Sequence, residues 1–242
     1  MKPHSIDRRD LLRHACCGVA GLAVGLGMPH AFAATGNRTE LTPDQVLALL
    51  KEGNERFVAD HSSTARHDGT RRLEIARAQA PIAVLVGCSD SRVSPEILFG
   101  RGLGELFIIR NAGNTVDLTA QGSIEYAVAE LGVPLILILG HERCGAVAAS
   151  LEVVERSVTF PGRIGHMVEP IIPATLKAKQ SVGAGASHDE VLDGAVRENV
   201  RRVSSQLSLA ELLTERQSAG RLKIVGARYD LDDGRVDFFH EA

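Results

Sequence analysis

The 242-residue chain has no tryptophan and only two tyrosines, and aromatics make up 4% of it. A surface built to stack bases needs such rings, so a nucleic-acid partner is not expected. The formal charge is only −3, which gives no broad basic face for a polyanion. Cysteines number four, too few for a disulfide scaffold. Long apolar runs are missing too. The longest stretch, Ala15 to Met28, has 14 residues broken by glycines, too short for a stable membrane span.

That stretch has its own meaning. A basic start with paired Arg8 and Arg9 precedes it, and Ala31-Phe32-Ala33 follows as a small-residue cleavage site. Residues 1–33 are expected to be an export signal peptide. The twin arginines, with Leu11 and Leu12 behind them, resemble a Tat signal, which implies a periplasmic or secreted protein. A Sec signal or an uncleaved anchor is the alternative. Cys16 and Cys17 fall inside the signal. Without it the chain has 23 basic and 28 acidic residues, a formal charge of −5, and keeps only Cys88 and Cys144. Two cysteines in an exported protein first suggest one disulfide.

Residues 34–242 read as a single α/β domain. Thr42 is a natural N-cap ahead of Pro43, and Val46, Leu49, Leu50 and Phe57 keep helical spacing, an amphipathic N-terminal arm. "PIAVLVGC", "ELFIIRNAGN", "PLILILGH" and "RLKIVGARYDL" are short, β-branched runs suited to buried strands. Asp233-Gly234 then marks a C-terminal hairpin into "RVDFF". "LTAQGSIEYAVAELG" reads as a helix closed by Gly132, and Asp189 to Gln217 as helical throughout. Residues 60–71 read as loop, and 151–188 carry little pattern. Strands alternating with helices predict a mostly parallel central sheet flanked by helices. Ligands of such sheets gather beyond the strands' carboxyl ends. Cys88 and His141 each end a predicted strand and are expected at that edge.

The chemistry concentrates in "VLVGCSDSRVSPE" and "LGHERCGAV". His141 and Cys144 have H-x-x-C spacing, and Cys88 lies 53 residues before His141. Thiolate and imidazole are zinc ligands, and three of them with an open fourth position is the pattern of a catalytic site. A Cys88–Cys144 disulfide would leave His141 without a purpose. An ionised Asp90 beside a metal can orient an attacking hydroxide, and Arg92 can hold Asp90 through a bidentate pair. A plain turn salt bridge is the competing reading of Asp90 and Arg92.

"CSDSRV" followed by "GHERCGA" resembles the β-class carbonic anhydrases over about residues 40–240. The resemblance implies zinc held by Cys88, His141 and Cys144, one ion per subunit. It implies reversible hydration of CO2 to bicarbonate, with Asp90 and Arg92 as the family's paired Asp-Arg. A zinc-bound water has its pKa lowered to about 7, a figure that comes from carbonic anhydrase itself. Gln79 matches the substrate-side glutamine, and Gly145 the glycine whose N–H faces the substrate. Phe107, Ala112 and Tyr126 fall where the family lines its apolar pocket, although Tyr126 could equally be core. The family assembles as homodimers or higher homo-oligomers with wrapped N-terminal helices. Two other readings stay open at this stage: the same site acting on CS2 or COS, and a non-enzymatic zinc or redox protein. One departure stands out. Leu85 occupies the place of a tryptophan found in members with an inhibitory bicarbonate site, so that site is not expected. Arg110 matches that site's arginine by spacing but reads as structural. Glu130 stands where some relatives carry a histidine that shuttles protons, which leaves the shuttle unassigned.

Overall fold

A computed structural model describes residues 38–61, 65–183 and 185–242. The signal peptide expected at 1–33 lies outside the described residues. Among the described residues no helix is long and apolar enough to cross a membrane.

The sheet comprises β1 (Ala83–Gly87), β2 (Leu106–Arg110), β3 (Leu135–His141), β4 (Lys223–Tyr229) and β5 (Val236–Glu241) in the order β2-β1-β3-β4-β5. The first four are mutually parallel, and β5 closes one edge antiparallel. β1 and β3 are buried along their whole length, which explains their unbroken apolar sequence. Alternate residues serve opposite faces. Ala83, Leu85, Leu135, Leu137 and Leu139 meet Val46, Leu47 and Leu50 of α1 (Pro43–Val58). Val84, Val86, Ile136 and Ile138 meet Ile124, Ala127 and Val128 of α4 (Leu118–Ala129) and Val200 and Val203 of α8 (His188–Ser208).

The boundaries follow local chemistry. Thr42 and Gln45 form a reciprocal capping box at α1, the expected start of the arm. The hairpin turns at Gly234, whose φ of 78° suits glycine. Four short helices were not evident in the sequence: α2 (Gly69–Ile75), α3 (Pro95–Leu98), α6 (Ile164–Val168) and α7 (Ile172–Val182). The expected loop over 60–71 thus ends earlier, at Asp68, which caps α2. The helical stretch from Asp189 to Gln217 is two helices, α8 and α9 (Glu211–Ser218), broken at Leu209 and Ala210.

Candidate active site

β1 and β3 are neighbours, and Gly87 pairs with Leu139, so Cys88 and His141 reach the same sheet edge just past that pair. After His141 the chain turns through Arg143, at φ 50°, and Cys144 becomes the N-cap residue of α5 (Gly145–Arg156). The H-x-x-C spacing is the length of this turn. It returns Cys144 to within 3.9 Å, sulfur to sulfur, of Cys88. Both cysteines are free and buried, because a disulfide would need a separation near 2.05 Å. Two sulfurs about 2.3 Å from a tetrahedral zinc would stand about 3.8 Å apart, close to the separation observed.

His141 completes the corner. Its ring is fully buried. Nδ1 meets the Glu142 carbonyl at 2.9 Å, so that nitrogen carries the proton and Nε2 presents a bare lone pair. Among the described residues Nε2 has no hydrogen-bond partner. A buried acceptor without a partner costs on the order of 1–3 kcal/mol, and here it faces two thiols. The ligand atoms of Cys88, His141 and Cys144 lie within 4.8 Å of one another. Donor type, protonation and spacing all fit zinc.

The thiols are poised unequally. Hydrogen bonding with the Cys144 thiol, first, and with the Gly113 N–H pulls the Cys88 thiol well below its usual range. Cys144 is pushed up, chiefly by its hydrogen bond with Cys88 and by burial.

Asp90 stands at the rim, with Oδ2 3.7 Å from His141 Nε2. Arg92 donates from Nε to Oδ1 at 3.0 Å and from Nη2 to Oδ2 at 2.8 Å. Its backbone N–H adds a bond to Oδ1 at 3.0 Å. These bonds, the Arg92 side chain first, hold the Asp90 carboxyl far below the ordinary carboxylate range. Asp90 is therefore ionised at any working pH. Arg110, at the end of β2, donates to the carbonyls of Cys88 at 2.9 Å and Asp90 at 2.6 Å. The sequence reading of Arg110 as structural agrees with this grip on the loop that carries both residues.

The remaining expected site residues lie further out. Gly145 opens α5, and a Cβ built on it would meet nothing within 4 Å. Ala112 packs beside the cluster that contains both cysteines. Phe107 pairs in register with Val84, about 13 Å along the sheet from the level of Cys88. Tyr126, on α4, is 37% exposed. Gln79 lies exposed between α2 and β1. The structure thus gathers Cys88, Asp90, Arg92, His141 and Cys144 at one edge, and leaves Gln79, Phe107 and Tyr126 outside that group. Leu85 is fully buried in the sheet.

A Cys-His-Cys corner at the carboxyl edge of a parallel sheet, beside a clamped carboxylate, makes this an α/β protein with a candidate metal centre of zinc-ligand type. The family model described as "Carbonic anhydrase" matches residues 83–236, the span from β1 to the start of β5. Carbonic anhydrase 2 of Mycobacterium tuberculosis is 43% identical over 188 residues, which is 77% of this chain and 88% of that protein. The Coccomyxa β-carbonic anhydrase, solved with acetazolamide, superposes with a TM-score of 0.64 at 29% identity, covering 81% of this chain and 87% of that one. A tetrameric β-carbonic anhydrase of Sordaria macrospora gives 0.64 at 25% identity, over 72% and 92%. The chain belongs to the carbonic anhydrase family, in its β class. Its activity is the reversible hydration of CO2 to bicarbonate.

Proposed function

We propose that this chain hydrates CO2 with one zinc ion per subunit, held by Cys88 Sγ, His141 Nε2 and Cys144 Sγ. The observation that carries the reading is the bare, fully buried Nε2 of His141 facing two unbridged thiols. When bound, zinc supplies a Lewis acid that makes water nucleophilic near neutral pH. Two thiolates offset the ion's charge, so the surrounding residues have more to do. Asp90, ionised and fixed by Arg92, accepts the proton side of the attacking group and turns its lone pair toward carbon. Gly145, at the open start of α5, would donate its N–H to the oxygen that gains charge. Arg110 holds Cys88 and Asp90 in one frame through their carbonyls. The test is metal analysis of the purified protein together with stopped-flow CO2 hydration before and after removal and return of zinc.

The same reading extends to assembly. Phe107, Tyr126 and Gln79 lie outside the chain's own metal corner, and they can contact substrate from a second copy. The tetrameric Sordaria enzyme supports a homo-oligomer. Light scattering should give a dimer or larger, and a fully active monomer would contradict it. Export through a Tat signal in residues 1–33 rests on Arg8 and Arg9 with Leu11 and Leu12 behind them, the apolar run from Ala15 to Met28 and the small-residue site Ala31-Phe32-Ala33. Arg8→Lys with Arg9→Lys should abolish delivery to the periplasm, whereas continued export would point to a Sec route.

A further inference from the structure

Asn199 sits in the middle of α8 and is 1% exposed. It lies outside both cysteine motifs and 86 residues from Gly113. Its Nδ2 nonetheless donates to the Gly113 carbonyl at 2.7 Å. The N–H of the same glycine donates to Cys88 Sγ at 3.2 Å. Gly113 is therefore held at both polar ends, by the helix on one side and by the sulfur on the other.

This glycine could not orient itself unaided. Its φ is 70° and ψ 24°, and Asn114 follows at φ 47°. Two successive left-handed residues, one of them not glycine, persist only where the surroundings over-determine them. A Cβ on Gly113 would lie 2.5 Å from Ile171 Cδ1 and 3.2 Å from Ala146 Cβ, so packing closes one side. Asn199 supplies the polar restraint on another. The same helix also bears on the histidine strand. A Cβ on Gly140, one residue before His141, would meet Val200 Cγ2 at 2.8 Å and Val196 Cγ1 at 2.9 Å.

We propose that Asn199 is a positioning residue for the metal centre. By anchoring the Gly113 carbonyl it aims the Gly113 N–H at the Cys88 sulfur. A thiolate that accepts this bond has a fixed lone-pair direction, so losing the bond misdirects the ligand and weakens its hold on a metal. The inference rests on Cys88 being a zinc ligand. Residues around metal ligands commonly change metal affinity by roughly 10–100-fold when altered.

The test compares zinc affinity, by competition with a chelator, and the thiolate-to-metal absorption band of the cobalt-substituted protein. Asn199→Ala should weaken zinc about tenfold and shift the cobalt band. Ser204→Ala, on the same helix, removes a buried hydroxyl that donates to the Val200 carbonyl and should change neither. If Asn199→Ala does not fold, Asn199→Ser, which keeps a small polar side chain too short to reach Gly113, is read the same way. Unchanged affinity and an unchanged cobalt band in a folded Asn199 variant would overturn the proposal. Equal losses in Ser204→Ala would also overturn it, because they would assign the effect to helix stability. A wild-type protein that takes up no zinc would instead remove the reading beneath it.

Discussion

Among the described residues two corners bring three side chains able to ligate a metal within reach of one another, and they share consecutive residues. His141 belongs to one, with Cys88 and Cys144; Glu142 belongs to the other, with Asp230 and Asp232. The acidic corner carries more charge. Every carboxylate in it is already answered, however. Arg143 donates to both oxygens of Asp232 at 2.9 and 2.7 Å. Arg228 donates to Asp230 at 2.9 Å, and Glu142 lies near both arginines and accepts from the Leu231 N–H at 3.2 Å. In the Cys-His-Cys corner a buried nitrogen has no partner, and two thiols stand apart at a bridging distance. Ligand type separates the two corners, because thiolate and imidazole suit zinc better than three carboxylates do. So does pairing: the carboxylates are already engaged by arginines, whereas the buried His141 Nε2 has no hydrogen-bond partner among the described residues.

The largest expected effect breaks the Cys-His-Cys corner. Cys88→Ser or Cys144→Ser should lose zinc and CO2 hydration together, since a hydroxyl is a poor zinc ligand. Stoichiometric zinc in both variants would contradict the ligand set. Next comes the rim. Asp90→Asn should keep its zinc but lower kcat/KM by about 10–100-fold, because the amide can donate where the carboxylate only accepts. Near-normal rates from pH 7 to 9 would remove the orienting role.

Arg92→Ala sharpens the cause. Asp90 is held ionised mainly by Arg92, and without it the carboxyl returns toward about 3.9, still ionised at neutrality. The loss of rate, about tenfold, should therefore be constant from pH 6 to 9, as expected of lost orientation. A loss that grows as pH falls through that range would point to lost charge. The sign for stability follows from the same shift. Because the folded pKa lies below the unfolded one, the Asp90–Arg92 contribution is complete above pH ~4. It disappears as pH falls through the folded value, so acid titration should erase the stability difference between Asp90→Asn and the wild type.

The parts of this contrast that were legible in the sequence are the ones that local spacing encodes. Cys88, Asp90 and Arg92 lie within one strand end, and His141 and Cys144 within one turn, so alternating strands and helices sufficed to put them on one edge. Asn199 was not legible, because its meaning lies in a bond to a backbone carbonyl 86 residues away. Helix α7 was missed for a related reason: its buried positions are Ala174, Thr175 and Ala178, small residues that give no apolar stripe. The break between α8 and α9 was hidden because Leu207, Ala210 and Leu213, all in or packed against one core cluster, keep three-residue spacing across it.

Smaller effects are expected in the acidic corner. Asp232→Ala removes an exposed partner of Arg143 and should leave zinc content and kcat/KM unchanged, as exposed ion pairs contribute little. A drop in zinc would mean that the acidic corner also holds metal. Smallest of all is the response to bicarbonate. Leu85 is core, and Arg110 is engaged by the Cys88 and Asp90 carbonyls. Inhibition by bicarbonate should be non-cooperative over pH 6.5–9, and a Hill coefficient clearly above one would reveal a regulatory site.

The most direct test of the central claim, that Cys88, His141 and Cys144 hold a catalytic zinc, is a single paired measurement. Zinc content and stopped-flow CO2 hydration are read on the same preparations of wild type, Cys144→Ser and Asp232→Ala. One zinc per subunit with full activity is expected for wild type and Asp232→Ala, and neither zinc nor activity for Cys144→Ser. Activity that persists in zinc-free protein, or zinc that follows Asp232 rather than Cys144, would contradict it.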